Sequence, residues 1–355
     1  MSEKFTQEEP NEGWWRRTKR TAVRMGKAAV IGMLPVAMIP FPEAREEYRP
    51  PSISILHDEY EDDCPPESQF AIMNVAGLGM TTTSEYAGRI TKEIVGTQYD
   101  ACHVALDYGT SYGISKNAEA LGNFLQENKF DSVVVFAQSF GGIASVDMID
   151  AYKHQYPNSK TKFMIVFISS PGGPESLQLG SWLGAQLHAA IPFKQEMVWL
   201  ETYGLTLLQG GVNPFDGETL TNTTNNADET PSTLLYEQSN RMLKGMNKFS
   251  SEAAEGDVEF AFAADREDGV IKADQSVRDI ERRLGRTIKN IEYLDYTNKK
   301  LNNHATLWWQ SDMEIHRKVV LGSIAAAQKE FGFNAKQPVA DTDKTLASSD
   351  ANRPV

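Results

Sequence analysis

The sequence predicts an α/β fold, with a mostly parallel sheet and helices on both of its faces. From about residue 50, strand-like runs alternate with helix-like segments, the order found in parallel sheets with crossover helices. The run 132–136 is continuously apolar and rich in valine, which is typical of a strand buried on both faces. Towards the other end of the chain, residues 310–331 have the apolar spacing of an amphipathic helix.

The individual elements follow from local patterns. The predicted strands cover residues 52–56, 70–75, 101–106, 132–136, 162–168, 258–264 and 291–296. The predicted helices between the earlier strands cover about 83–95, 116–128 and 142–156. Pro157 stands just past the third of these helices, where a proline commonly ends a helix.

The alternation of strands and helices breaks between about residues 174 and 255. We therefore interpret residues 48–173 and 256–333 as one α/β core, and residues 174–255 as a helical cap inserted late in its sheet. The polar tail 334–355 is expected to be disordered. Within the insertion, helix-like apolar segments cover 177–191 and 197–208, and a polar low-complexity loop covers 219–231.

Residues 1–47 contain a basic, aromatic stretch followed by an apolar run, the order of a targeting or anchor segment. Trp14 and Trp15 precede six basic residues, and the stretch 14–27 contains no acidic residue. The apolar run 28–42 contains three prolines and is shorter than the roughly 20 residues of a spanning helix. We expect residues 14–42 to bring the protein to a membrane or through it. The alternative is an arm packed on the domain of a cytoplasmic protein.

The chain of 355 residues is acidic, since 35 basic and 48 acidic residues give a formal net charge of −13. Such a chain repels polyphosphate, so we do not expect nucleic acid as a partner. Its two cysteines, Cys64 and Cys102, have no metal-ligand spacing, so no zinc site is predicted. They could pair or remain free thiols. No organic cofactor or metal is implied.

Two segments have the small-x-Ser-x-Gly spacing of a nucleophile elbow, one around Ser111 and one around Ser139. An elbow is a tight turn between a buried strand and a helix, and small residues allow the strand and helix to approach closely. Ser139 follows the valine-rich run and precedes Gly141 and Gly142 at a helix start. Ser111 has glycine at both small positions, but a polar loop follows it. We therefore predict Ser139 as the nucleophile.

Residues 133–148 resemble the strand, elbow and helix of the α/β-hydrolases. The segment 76–79, Ala-Gly-Leu-Gly, resembles the oxyanion loop of that family, although Ala76 stands where the family often has histidine. The resemblance implies that the backbone N–H groups of Leu78 and Phe140 form the oxyanion hole, which needs two preorganised donors. It covers about residues 50–173 and 256–333.

In this fold the catalytic residues follow the chain order serine, acid, histidine. Of the six histidines, only His304 and His316 follow the last long predicted strand. His304 lies in a polar loop before the C-terminal helix, where the family has its catalytic histidine. His316 lies within that helix and is expected on its solvated face. The sequence Asp-Gly-Val-Ile at 268–271, after strand 258–264, favours Asp268 as the acid, with Asp265 and Glu267 as alternatives.

Together these residues predict a serine hydrolase that cleaves an acyl ester through an acyl-enzyme on Ser139. His304 would transfer the proton, and Asp268 would orient His304. The apolar content of the cap favours a small-molecule or lipid acyl substrate. The same triad also serves peptidases and thioesterases, and a catalytically silent, membrane-tethered binding protein could have the same fold.

Overall fold

The computed structural model describes residues 48–56, 64, 68–79, 83–190, 232–294, 304 and 313–332. Their strands form one sheet in the spatial order first, third, second, fourth, fifth, sixth, seventh. The first strand runs antiparallel to the third, and every other neighbouring pair is parallel. The predicted mostly parallel sheet is therefore confirmed. The strands are β1 (Ser52–Ile55), β2 (Phe70–Val75), β3 (Ala101–Asp107), β4 (Ser132–Gln138), β5 (Lys162–Ile168), β6 (Val258–Asp265) and β7 (Asn290–Leu294).

Helices cover both faces of this sheet, as predicted. Side chains of α2, α3 and α7 belong to the larger apolar core on one face, whereas those of α1 and α8 belong to the core on the other. In the described part of the chain the helices are α1 (Thr83–Val95), α2 (Ile114–Asn128), α3 (Gly141–Gln155), α4 (Leu179–Ala190), α5 (Ser232–Lys244), α6 (Glu252–Asp257), α7 (Ala273–Leu284) and α8 (Met313–Phe331).

Strand β4 shows why its sequence is continuously apolar. Val133 and Val135 face the larger core, while Val134 and Phe136 face the smaller one. Successive strand side chains point to opposite faces, so a strand covered on both sides needs apolar residues at every position. Its neighbours β2 and β5 place the end of β4 in the middle of the sheet.

The stretch interpreted as a cap lies between β5 and β6. Its described parts include α4 and α5, which pack against each other, and the short α6 that leads into β6. The predicted segments 197–208 and 219–231 lie outside the described residues, as do residues 1–47 and 334–355. Among the helices that the structure describes, none combines the length and the apolar character needed to cross a membrane.

The position of His316 differs from the prediction. Instead of lying on a solvated face of α8, it is buried, with 1% of its surface exposed. The buried stripe of α8 also includes Val319, Val320, Ser323 and Ile324, so His316 stands at the spacing of that stripe. Helical geometry thus carries His316 inward with the apolar residues.

The structure also joins Cys64 to Cys102 in a disulfide. Cys102 is a buried residue of β3, and Cys64 belongs to the segment between β1 and β2. The bond links Cys64 to β3, so the structure has the paired alternative for these two cysteines.

Candidate active site

Ser139 occupies a strained turn between β4 and α3. Its backbone has a φ of 50°, in the left-handed region that costs a residue with a side chain about 1 kcal/mol or more. The turn is held because the Ser139 N–H donates to the carbonyl oxygen of Ile168 at 2.8 Å. Helix α3 begins two residues later, so the serine is presented at the carboxyl end of a central strand.

Close approaches around Ser139 require the neighbouring glycines. A Cβ atom on Gly141 would lie 2.4 Å from the carbonyl oxygen of Val75, and one on Gly142 would lie 2.6 Å from the Ser170 hydroxyl oxygen. Both distances are far below van der Waals contact. The two glycines therefore allow α3 to start directly against β2 and the end of β5, as the elbow prediction supposed.

Ser139, His304 and Asp268 form a continuous hydrogen-bonded chain. The Nε2 atom of His304 lies 2.8 Å from the Ser139 Oγ atom. On the other side of the ring, Nδ1 lies 3.0 Å from Asp268 Oδ1 and 3.1 Å from Oδ2. The structure thus brings together the predicted nucleophile, base and preferred acid at distances that suit proton transfer.

The Asp268 carboxylate is fixed by the loop after β6. Its Oδ1 atom accepts the N–H groups of Val270 at 2.8 Å and Ile271 at 2.9 Å, and only 1% of the residue is exposed. These two donors set the orientation of the carboxyl group towards His304. The alternative acid Asp265 instead accepts the N–H of Glu267 at 2.7 Å, which closes the turn, and the side chain of Glu267 is exposed.

The predicted oxyanion loop lies beside the nucleophile. A Cβ atom on Gly77 would lie 3.2 Å from Cβ and 3.7 Å from Oγ of Ser139. The N–H groups of Leu78 and Phe140 have no acceptor among the described residues, so both donors remain available. Tyr108 fixes the start of the loop because its hydroxyl group donates to the Ala76 carbonyl oxygen at 2.9 Å.

Ser111 lies in the loop between β3 and α2 and is not part of the hydrogen-bonded chain of Ser139, His304 and Asp268. The loop turns at Gly109, whose φ is 68° and whose added Cβ would lie 2.0 Å from the Arg49 carbonyl oxygen. The Gly-x-Ser-x-Gly pattern here belongs to a tight, partly buried turn that passes beside the chain entering β1. The neighbouring Tyr112 donates its N–H to Glu237 at 2.6 Å.

A buried ion pair links α5 to α3, the helix that follows Ser139, and the sequence does not predict it. The Arg241 Nε atom of α5 donates to Asp147 Oδ2 of α3 at 2.6 Å, and the Tyr112 hydroxyl donates to the same oxygen at 2.9 Å. Burial raises the pKa of Asp147, while the hydrogen bonds and charge of Arg241 oppose that rise. The ring of Tyr112 packs edge-on against Phe140 with centroids 5.1 Å apart, so this network touches the residue after the nucleophile.

The other described histidines lie on other elements of the fold. His103 is buried in β3, His316 is buried in α8 and His154 is exposed near the end of α3, while burial lowers the pKa of His188 in α4 to about 3. Within the described residues there is also no group of three or more His, Cys, Asp or Glu side chains that could hold a metal ion.

Comparison with known proteins identifies the fold. No protein-family model and no curated protein matches this sequence. A solved structure of an aryl esterase candidate from Burkholderia cenocepacia is 14% identical, with a TM-score of 0.50 over 78% of this chain and 95% of that one. The chain has the α/β-hydrolase fold.

Two further solved structures are similar at lower scores. The esterase RhEst1 from Rhodococcus sp. ECU1013 is 11% identical, with a TM-score of 0.48 over 79% of this chain and 99% of that one. The carboxylesterase CesB (YbfK) from Bacillus subtilis is 12% identical, with a TM-score of 0.47 over 86% of this chain and 99% of that one.

Proposed function

We propose that this protein is a serine hydrolase that cleaves an acyl ester through an acyl-enzyme on Ser139. The observation that carries the proposal is the chain from Ser139 Oγ through His304 to Asp268, with distances of 2.8 Å and 3.0 Å. A hydroxyl group has a high pKa and becomes an effective nucleophile only when a base can accept its proton as it attacks. The Nε2 atom of His304 is within reach to do so.

The first half of the reaction follows from this geometry. Ser139 Oγ attacks the ester carbonyl carbon, its proton passes to His304 Nε2, and the carbonyl electron pair moves onto oxygen. Asp268 stabilises the imidazolium through its contact with Nδ1. The negative oxygen would accept the N–H groups of Leu78 and Phe140. When the carbonyl re-forms, His304 gives its proton to the departing alcohol.

Water completes the cycle by the same route. His304 takes a proton from a water molecule that attacks the acyl-enzyme, and the second tetrahedral intermediate again places its negative oxygen at the two N–H groups. Its collapse releases the carboxylic acid as the proton returns to Ser139 Oγ. None of these steps uses a cofactor, and the three side chains that carry them are already in contact in the structure.

An ester is the favoured substrate class because the solved structure with a TM-score of 0.50 is described as that of an aryl esterase candidate. At 14% identity this likeness concerns the fold, and the panel of esters described below identifies the preferred acyl chain. Within this class, the substrate would be a small-molecule or lipid acyl ester. Peptidase or thioesterase activity on the same triad is the alternative.

Labelling with a fluorophosphonate tests the proposal directly. The wild-type protein should be labelled, Ser139→Ala should not, and Ser111→Ala should be labelled like the wild type. A panel of 4-nitrophenyl esters with acyl chains of increasing length then identifies the preferred substrate. If the folded wild type is neither labelled nor active on any ester, the protein is a silent member of this fold and the proposal is wrong.

A further inference from the structure

Helix α5 contacts three separate parts of the candidate active site. Glu237 accepts the N–H of Tyr112, in the loop after β3. Arg241 forms the buried ion pair with Asp147, on the helix that follows Ser139. Between them in the sequence, Gln238 accepts the N–H of Gly79 through its Oε1 atom at 2.6 Å. One helix, far along the chain from β2, therefore holds the oxyanion loop from outside.

The hydrogen bond to Gly79 fixes the orientation of the Gln238 amide. Gln238 is fully buried, and its oxygen must face the Gly79 N–H because two donors cannot face each other. Its Nε2 atom is then left without a hydrogen-bond partner among the described residues. A buried polar atom without a partner is unfavourable, so a hydrophobic side chain would satisfy packing alone better than this amide does.

The hydrogen bond from Gly79 to Gln238 lies where it can set the geometry of the oxyanion hole. Gly79 has a φ of 71°, and its N–H belongs to the peptide group that follows Leu78. On the other side of Leu78, Gly77 packs against Ser139, and the Ala76 N–H donates to the Ser84 hydroxyl oxygen at 2.8 Å. The loop is thus held at both ends, and Gln238 supplies the hold on the downstream end.

We infer that Gln238 is a positioning residue, which holds the N–H of Leu78 in the direction needed to stabilise the oxyanion. This inference rests on the proposed function, since it concerns the transition state of that reaction. Gln238 acts through its acceptor oxygen on Gly79. Its substitution should therefore affect the transition state more than the binding of substrate.

Three variants distinguish the effect of the Gln238 acceptor oxygen from the effect of the rest of its side chain. Gln238→Met keeps similar length but removes the acceptor, and Gln238→Asn keeps the amide but is too short to reach Gly79. Both should lower kcat by roughly 10- to 100-fold with KM nearly unchanged, less than the loss of an entire oxyanion donor. Gln238→Glu retains an acceptor oxygen for the Gly79 N–H. Burial favours the neutral form of the new carboxyl group, so the kcat of this variant should stay within about threefold of wild type.

The affinity for a transition-state analogue distinguishes a positioning role from a purely structural one. Trifluoromethyl ketones form an anionic adduct with an active serine, so their affinity should fall in Gln238→Met by the same factor as kcat. Asn240→Ala is the matched control, since Asn240 lies on the same helix and its side chain bonds only within that helix, to the Tyr236 carbonyl oxygen. Its kcat and analogue affinity should equal those of the wild type.

The outcomes distinguish this inference from the proposed function. If the wild type hydrolyses esters and folded Gln238→Met or Gln238→Asn does so within about twofold in kcat, the positioning role is refuted. It is equally refuted if Gln238→Glu is folded and as impaired as Gln238→Met, because the acceptor oxygen would then not matter. If the Met variant does not fold, the Asn variant decides. Failure of the proposed function appears separately, in an inactive wild type.

Discussion

Asp268→Asn tests the hydrogen-bonded chain most sharply, because the structure dictates how the new amide must sit. The N–H groups of Val270 and Ile271 both donate to Oδ1, so the amide oxygen of asparagine must occupy that position. The NH2 group then takes the place of Oδ2, which lies 3.1 Å from His304 Nδ1. A donor at that place favours the tautomer with the proton on Nε2.

That tautomer cannot accept the proton of Ser139, and the neutral amide also no longer stabilises the imidazolium. The corresponding substitution in a serine protease triad lowers kcat by about 10⁴-fold, which is about 5 kcal/mol of transition-state stabilisation. We expect a loss of that order here. The packing should be nearly unchanged, since asparagine has the shape of aspartate and keeps both backbone hydrogen bonds.

The assay is steady-state hydrolysis of the best 4-nitrophenyl ester, with thermal unfolding measured in parallel. Asp265→Asn is the matched control, because asparagine can still accept the Glu267 N–H that closes the turn. Its kcat should stay within about threefold of wild type. If both variants are folded and Asp265→Asn is the more impaired, Asp265 is the catalytic acid and the interpretation of this loop is wrong.

Three further predictions concern the nucleophile, the ion pair and the N-terminal segment. Ser139→Ala should lower kcat by roughly 10⁴- to 10⁶-fold while Ser111→Ala retains most activity, and the reverse result would reassign the elbow. Arg241→Met should destabilise the fold by about 3 kcal/mol in urea denaturation at pH 7, because buried Asp147 loses its cationic partner and keeps only the Tyr112 hydroxyl group. Removal of residues 14–42 should shift the protein from the membrane or exported fraction to the soluble cytoplasmic fraction. Equal distribution of both forms would refute a targeting role.

The pH dependence of Arg241→Met provides a check on its cause. In the native protein, burial already raises the pKa of Asp147 and Arg241 opposes that rise. Without Arg241 the folded-state pKa should rise further above the unfolded value. A raised carboxyl pKa favours folding at acid pH and loses that contribution as pH rises through the folded pKa. The deficit relative to wild type should therefore be smaller at pH 4 than at pH 7, and an equal deficit at both would exclude this explanation.

Much of the fold could be predicted from the sequence because its signals are local. Strand runs such as 70–75 and 162–168 have the predicted bounds, since apolar residues on both faces identify a central strand without knowledge of its neighbours. Helix α7 was overlooked although its signal is equally local. Val277, Ile280 and Leu284 lie on one buried face at helical spacing.

The sequence by itself selected Ser139 and His304 and limited the acid to Asp268, Asp265 or Glu267, because chain order and local turn chemistry limit where each residue type can stand in an α/β sheet. Tertiary structure alone decided that Asp268 rather than Asp265 contacts His304, since the two lie three residues apart in one loop. It also decided that Gln238 bonds Gly79, which lies 159 residues earlier. Such contacts leave no periodic pattern, because they depend on how two distant elements pack and not on the residues beside them.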